Sequence, residues 1–270
     1  MTSPVSSDSR APLDIAWLRE QLVENGPYNR LEHTMATGST NTDLVAAAHA
    51  GAPEWTAFLT EHQSQGRGRM GRKYESPVGA QLTLSVLIRP RKESVSRLGT
   101  MPLATGLALV DVLGSDPRIG LKWPNDLLCD GRKLCGILAE AVSLGDHPAV
   151  VIGLGLNTAL TKEELPVAHA TSLDLEGIAY ERNQLAVDVL NALYKRLNQW
   201  IAGDPSLMGD YRRVCTSIGA DVRVVLSEDK ELLGVAESVT DEGLICVRDA
   251  SGELHEFMVG DVTHLRLQDK

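Results

Sequence analysis

The segment Gln63 to Arg72 holds three glycines (Gly66, Gly68, Gly71) and three arginines (Arg67, Arg69, Arg72), and together with the dozen residues after it restricts the fold more than any other stretch. Glycines let backbone approach a ligand closely, and guanidinium groups offer fixed forks of donors for phosphate or carboxylate oxygens. The segment therefore reads as an anion-facing loop, where a lone Gly/Arg run elsewhere would read as a solvated basic turn. Its glycines satisfy G-x-G-x-x-G, the dinucleotide fingerprint, which needs a helix directly afterwards to hold a pyrophosphate. Here Pro77 and Gly79 interrupt, and Gln81 to Ile88 alternates like a strand. Loop followed by strand argues against a doubly wound dinucleotide fold. A P-loop is also missing, since no G-x-x-x-x-G-K-[ST] string occurs.

The remaining periodicities predict an α+β chain. Helices are expected over residues 13–25, from Ser39 or Thr40 to Ala50 with Asp43 completing a capping-box-like arrangement from Thr40, over 95–113 despite Pro102, and over 182–202, with a shorter helix ending near Cys215. Strands are expected near 31–35, 55–61, 82–89, 119–123, 134–142 and 149–156, with a hairpin-type turn at Asp130-Gly131 and a glycine-rich corner from Gly153. Beyond Ser217 short apolar runs separated by Asp, Gly and Ser turns (222–226, 232–239, 244–247, 254–258) predict a small antiparallel barrel. The expected division is 1–216 and 217–270. Strand ends carrying the Gly/Arg loop, Asn125-Asp126, Lys133 and the Gly153 corner should converge on one pocket.

Several short motifs recur in a fixed order: Gly38 to Asn41, Gln63 with Gly66 to Arg72, Ser76-Pro77 with Gly79-Ala80, Lys122-Trp123-Pro124-Asn125-Asp126, Arg132 to Glu140, and Gly153 to Asn157. Together they resemble the biotin protein ligases over most of the chain. The resemblance implies a mixed sheet with flanking helices, related to class II synthetases and lipoate ligases, plus a small SH3-like C-terminal domain. It also implies ATP-dependent formation of biotinoyl-5'-AMP and transfer of biotin to a lysine of a biotin carboxyl carrier domain in an acyl-CoA or pyruvate carboxylase. Lipoate or octanoate ligation and biotin-responsive repression are the rival readings. Only 38 residues precede Ser39, too few for three DNA-binding helices, so the ligase-only branch is expected.

By the same resemblance, Ser39, Thr40, Asn41, Gln63, Gly66, Arg67, Lys133 and Gly136 face biotin. Arg67, Arg69, Arg72, Tyr74, Asn125, Asp126, Lys133 and Asn157 face ATP. A carboxylate must approach a negative α-phosphate, so fixed cations lower the barrier, and Arg69 and Lys133 are the catalytic candidates. Asp126 is the candidate both for holding Mg²⁺ and for accepting the proton of the acceptor lysine. Trp123 is expected to pack in the core and shape its turn. Departures from the family pattern are Gln65 before the Gly/Arg string, Tyr74 where Trp is frequent, and Cys135 in place of Ala or Gly; the adenine contact stays unassigned.

A net charge of −10 would repel a phosphate backbone, which argues against DNA as a partner. No apolar run approaches the roughly 20 residues needed to cross a bilayer, and the polar residues 1–10 do not resemble an export signal. A cytoplasmic protein, monomer or weak homodimer, is expected. Cys129, Cys135, Cys215 and Cys246 lack metal-ligand spacing and should be reduced, mostly buried thiols.

Overall fold

The computed structural model describes residues 9–68, 71, 73–74, 76–227, 230–258 and 261–264. Its main sheet has seven strands. β1 (Arg30–Thr34) and β2 (Thr56–Thr60) pair in parallel, and the other pairs are antiparallel. β3 (Gly66–Arg67) and β4 (Lys73–Tyr74) form a separate two-stranded ribbon within the Gly/Arg segment. With β5 (Gln81–Ile88), β6 (Ile119–Lys122), β7 (Asp126–Cys129), β8 (Arg132–Ser143) and β9 (Ala149–Asn157), the main order is β1-β2-β5-β9-β8-β7-β6.

β5 and β9 are central and covered on both faces, which is why every residue of β5 is buried. Because side chains alternate along a strand, Leu82, Leu84, Val86 and Ile88 enter the principal core. There they meet α3 (Met101–Leu113) and α5 (Arg182–Ala202). On the opposite face Leu87 and Val151 pack with Leu44 and Ala48 of α2 (Thr40–His49). α2 thus rides over the face that does not carry the main core.

Several expectations are corrected. The first helix is a short α-helix, Ile15–Arg19, continued by a π-helical turn, Glu20–Glu24. The helix predicted over 95–113 begins as a 3-10 run, Lys92–Thr100, and becomes α-helical only at Met101, with Pro102 in the first turn, where a missing N–H costs nothing. Thr40 and Asp43 form no capping box; Asp43 accepts the hydroxyl of Thr37, and Ser39 holds the N-cap position without a side-chain capping bond. β7, unpredicted as a strand, pairs with β8 across the Asp130-Gly131 turn, both of whose residues have positive φ. Gly153 and Gly155 lie inside β9, not at a corner.

Residues beyond α6 (Ser206–Val214) build a five-stranded antiparallel sheet. It comprises β10 (Asp221–Ser227), β11 (Lys230–Val239), β12 (Ile245–Asp249), β13 (Leu254–Phe257) and β14 (Asp261–His264), one strand more than the sequence suggested. Bulges at Val225/Ser227 and Ala236/Ser238 bend it. Trp123 joins the two sheets: it is buried, and its indole N–H donates to the Gly243 carbonyl at 2.9 Å. All four cysteines are buried and free.

Candidate active site

Three adjacent strands lay down a bare floor beneath the start of α2. In the register of β5, β9 and β8, Ser85 lies beside Gly153 and Leu138, and Thr83 beside Gly155 and Gly136. Alternation sends Ile152, Leu154 and Leu156 into the core on the far side. Glycine at two successive near-side positions of β9, Gly153 and Gly155, therefore clears that part of the near side. A cleft of about 260 Å³ occupies that space, just below the usual range for small-molecule sites (roughly 300–1,000 Å³).

One end of the cleft is a neutral hydrogen-bonding cluster. The Thr40 N–H donates to Gln63 Oε1 at 2.9 Å, so Gln63 caps α2 in place of a local side chain. The Thr40 and Ser85 hydroxyls are 2.7 Å apart, Ser85 donates to Asn41 Oδ1 at 2.6 Å, and Asn41 Nδ2 donates to Glu140 Oε2 at 2.6 Å. Thr40, Asn41 and Ser85 are buried. Gly153 is required under this cluster, because a Cβ there would stand 2.1 Å from Asn41 Oδ1.

The other end is cationic. Lys133 Nζ donates to Asp126 Oδ1 at 2.6 Å, and Lys122 Nζ lies 3.9 Å from Asp126 Oδ2, so this carboxylate sits between two ammonium groups. The Lys133 side chain runs over Gly136, whose absent Cβ would stand 3.4 Å from Lys133 Nζ. Glu140, which holds Asn41, is four residues further along β8 than Gly136, about 13 Å at the strand rise. Arg67, at the exposed end of the β3 ribbon, adds a second cation to the lining.

A roof comes from residues 166–170. The Lys133 N–H donates to the His169 carbonyl (2.8 Å) and the Thr171 N–H to the Lys133 carbonyl (2.9 Å). Glu176, nearly inaccessible, fastens this segment by accepting from Arg118 (3.2 Å), Arg132 (2.8 Å) and the Thr171 hydroxyl. A second brace runs from Ser76 to Gln81 Oε1 (2.9 Å), from Gln81 Nε2 to Asn157 Oδ1 (2.6 Å), and from Asn157 Nδ2 to the Thr171 carbonyl (2.7 Å).

Of the residues singled out from sequence, Ser39, Thr40, Asn41, Gln63, Arg67, Asn125, Asp126, Lys133, Gly136 and Asn157 line this cleft. Gly66 is buried beside it in the ribbon, paired with Tyr74. Arg69 and Arg72 lie outside the described residues, as does the side chain of Tyr74. Asn157, expected at ribose or phosphate, has its amide engaged inside the protein. Asp126, expected as a base or magnesium ligand, is an ion-pair partner of lysine. Sequence reasoning missed Lys122, Gln81, Thr83, Ser85 and Glu140 as parts of the arrangement, and the roof residues Val167 and His169. The polar alternation Gln81, Thr83, Ser85 in an apolar strand was a usable signal; nothing in the sequence marks 166–170.

A family model described as the Biotin/lipoate A/B protein ligase family matches residues 36–157, and the Biotin protein ligase C terminal domain matches residues 217–265. The chain is 40% identical to the biotin–[acetyl-CoA-carboxylase] ligase of Mycobacterium tuberculosis, over 95% of this chain and 97% of that protein. It is 32% identical to the bifunctional ligase/repressor BirA of Escherichia coli, over 79% of this chain and 67% of that one. The Aquifex aeolicus biotin protein ligase solved with biotin and ATP superposes with a TM-score of 0.71 at 23% identity, covering 87% of this chain and 98% of that one, which speaks to the fold.

Proposed function

The chain belongs to the biotin protein ligase family, and from that premise we propose that its cleft joins the carboxyl of biotin to the α-phosphate of ATP and then passes the acyl group to a lysine of a biotin carboxyl carrier domain. The observation that carries this reading is the polarity of the cleft, with a neutral hydrogen-bonding cluster at one end and the Lys133 ammonium at the other. A molecule with a neutral ureido head, an apolar tail and a terminal carboxylate matches that order. The head's polar atoms must all be paired when buried, and Thr40 and Gln63 offer both acceptor and donor. The glycine floor admits the flat head, and Leu138, beside Gly153 on the same face, supplies apolar wall.

At the cationic end two anions must meet. Lys133 and Arg67 offset the charge of carboxylate and phosphate, and Lys133 keeps its position because Asp126 and Gly136 fix it from both sides. Asp126 is in this view the group that aims Lys133. As a magnesium ligand it does not fit as it stands, being enclosed by two ammonium groups. Among the described residues the group of His, Cys, Asp and Glu close enough to share an ion is Asp249, Glu253 and His255, on the small sheet. No step is therefore assigned to a metal held by this chain. The roof over Lys133 would shield the mixed anhydride from water. No described helix is long and apolar enough to cross a membrane.

The test is ATP–pyrophosphate exchange with biotin or lipoate, then label transfer to a carrier domain with and without its target lysine. Biotin alone should support exchange, and transfer should require the lysine. Lys133→Ala should slow exchange by about a hundredfold. Exchange driven by lipoate, or undiminished in Lys133→Ala, refutes the reading.

A further inference from the structure

Glu140 stands outside the lining of the cleft, yet it decides which way every hydrogen bond at the neutral end points. Asn41 Nδ2 faces two groups that can only accept, the Glu140 carboxylate (2.6 Å) and the Leu138 carbonyl (3.3 Å). The amide cannot be reversed, because its oxygen would then confront both. With Nδ2 held there, Oδ1 must point to Ser85 and accept the single Ser85 hydroxyl proton (2.6 Å).

That proton being engaged, the 2.7 Å contact between Ser85 and Thr40 can be bridged only by the Thr40 hydroxyl proton. Thr40 also lies 3.2 Å from Gln63 Oε1, but that oxygen already takes the Thr40 N–H at 2.9 Å, and the shorter contact has the stronger claim on the hydroxyl proton. Thr40 is left with lone pairs toward the cleft, while the nitrogen of the Gln63 amide can only donate. A ligand head must therefore give an N–H to Thr40 and offer a carbonyl to Gln63.

We infer that Glu140 is a positioning residue that sets the direction of the relay Glu140, Asn41, Ser85, Thr40, and thereby selects a head group carrying N–H donors beside a carbonyl acceptor. The relay is buried at Asn41, Ser85 and Thr40, so water does not reorient it. Gly153 beneath Asn41 leaves no room for the amide to swing aside, since even a Cβ there would stand 2.1 Å from Oδ1. Selection of the ureido head rests on the proposed biotin-ligase function; the direction of the relay does not.

Two measurements on the full chain separate the relay from the selection of the head. In the ligand-free protein, the side-chain amide protons of Asn41 should be shifted and slow to exchange in NMR spectra, identified by their loss in Asn41→Asp; solvent-like exchange in the wild type overturns the relay whatever the ligand is. Titration with D-biotin should show affinity falling about tenfold or more in Glu140→Leu and less than about threefold in Glu140→Gln, whose carbonyl still accepts. Glu140→Leu with Ser85→Ala should cost little more than the worse single change, because both break one relay. Equal losses in Glu140→Gln and Glu140→Leu, or multiplied losses in the double variant, overturn the inference. A protected Asn41 amide in a wild-type protein that does not bind D-biotin leaves the relay standing and overturns both the biotin reading and the selection of its head. KM for ATP should be unchanged in Glu140→Leu, and a rise in it matching the loss of D-biotin affinity would show general damage and overturn the positioning role.

Discussion

Gly153→Ala isolates the role of the bare sheet face. An alanine Cβ at this position would stand 2.1 Å from Asn41 Oδ1, 2.9 Å from its Cγ and 3.0 Å from Ser85 Oγ, whereas ordinary contact begins at 3.4 Å. Asn41 must retreat by more than 1 Å, a distance that breaks both the 2.6 Å bond from Ser85 and the 2.6 Å bond to Glu140. The first is a neutral bond of about 1 kcal/mol and the second is charge-assisted, about 1.5–3 kcal/mol, so some 2.5–4 kcal/mol of site organisation is lost. Divided evenly between folding and ligand affinity, this should weaken D-biotin binding by about 10- to 30-fold. The strain of the extra methyl group in a packed layer should lower the melting temperature by several degrees. Isothermal titration and a thermal melt measure the two parts. Gly145→Ala is the control, since nothing lies within 4 Å of its added Cβ. Normal biotin affinity in Gly153→Ala would show that Asn41 and its partners do not organise the site.

Other parts of the fold give three more expected outcomes. Gly209 lies inside α6 with nothing within 4 Å of an added Cβ, so Gly209→Ala should stabilise the protein by about 0.5–1 kcal/mol, seen as a raised denaturant midpoint. Arg182 and Glu61 form a buried ion pair at 2.6 Å, and Glu61 also accepts the Leu13 N–H, so Glu61→Gln leaves a buried guanidinium without its counterion. The cost should be about 3–5 kcal/mol, a drop of roughly 10 °C in the melting temperature. His264, held below its usual range at about 4 by burial and by the nearby Lys122 charge, accepts a hydrogen bond from Ser217 in its neutral form. Its folded pKa lies below the unfolded value, so the unfolded chain takes up the proton first; stability is complete above about pH 6.5 and declines by up to about 3 kcal/mol as pH falls toward 4. His264→Gln should flatten the fall in melting temperature between those two pH values, and an identical fall would contradict the assignment.

Much of the fold was legible because its signals are local. The alternation in Gln81 to Ile88 reported a strand, and the spacing of Leu185, Val189, Leu193, Leu197 and Ile201 reported the long helix, the first four being buried and Ile201 partly so. Pro102 was read as tolerable inside a longer helix, but its ring placed the α-helical start at Met101 and left a tighter turn before it. The capping box at Thr40 failed for a different reason. A side chain 23 residues away, Gln63, reaches the Thr40 N–H better than Asp43 does, and Asp43 turns to Thr37.

The order of short motifs along the chain carried the resemblance to the family, and the Gly/Arg loop running into a strand, with the periodicities around it, gave the class of fold, because alternation and helical spacing act within a few residues. Which polar groups meet was decided only when seven strands took their order. Asn41 and Glu140 are 99 positions apart and 2.6 Å distant, and they meet because the start of α2 lies across β5, β9 and β8. The direction of a buried hydrogen-bond relay depends on which partners can only accept, and that is a property of neighbours in space.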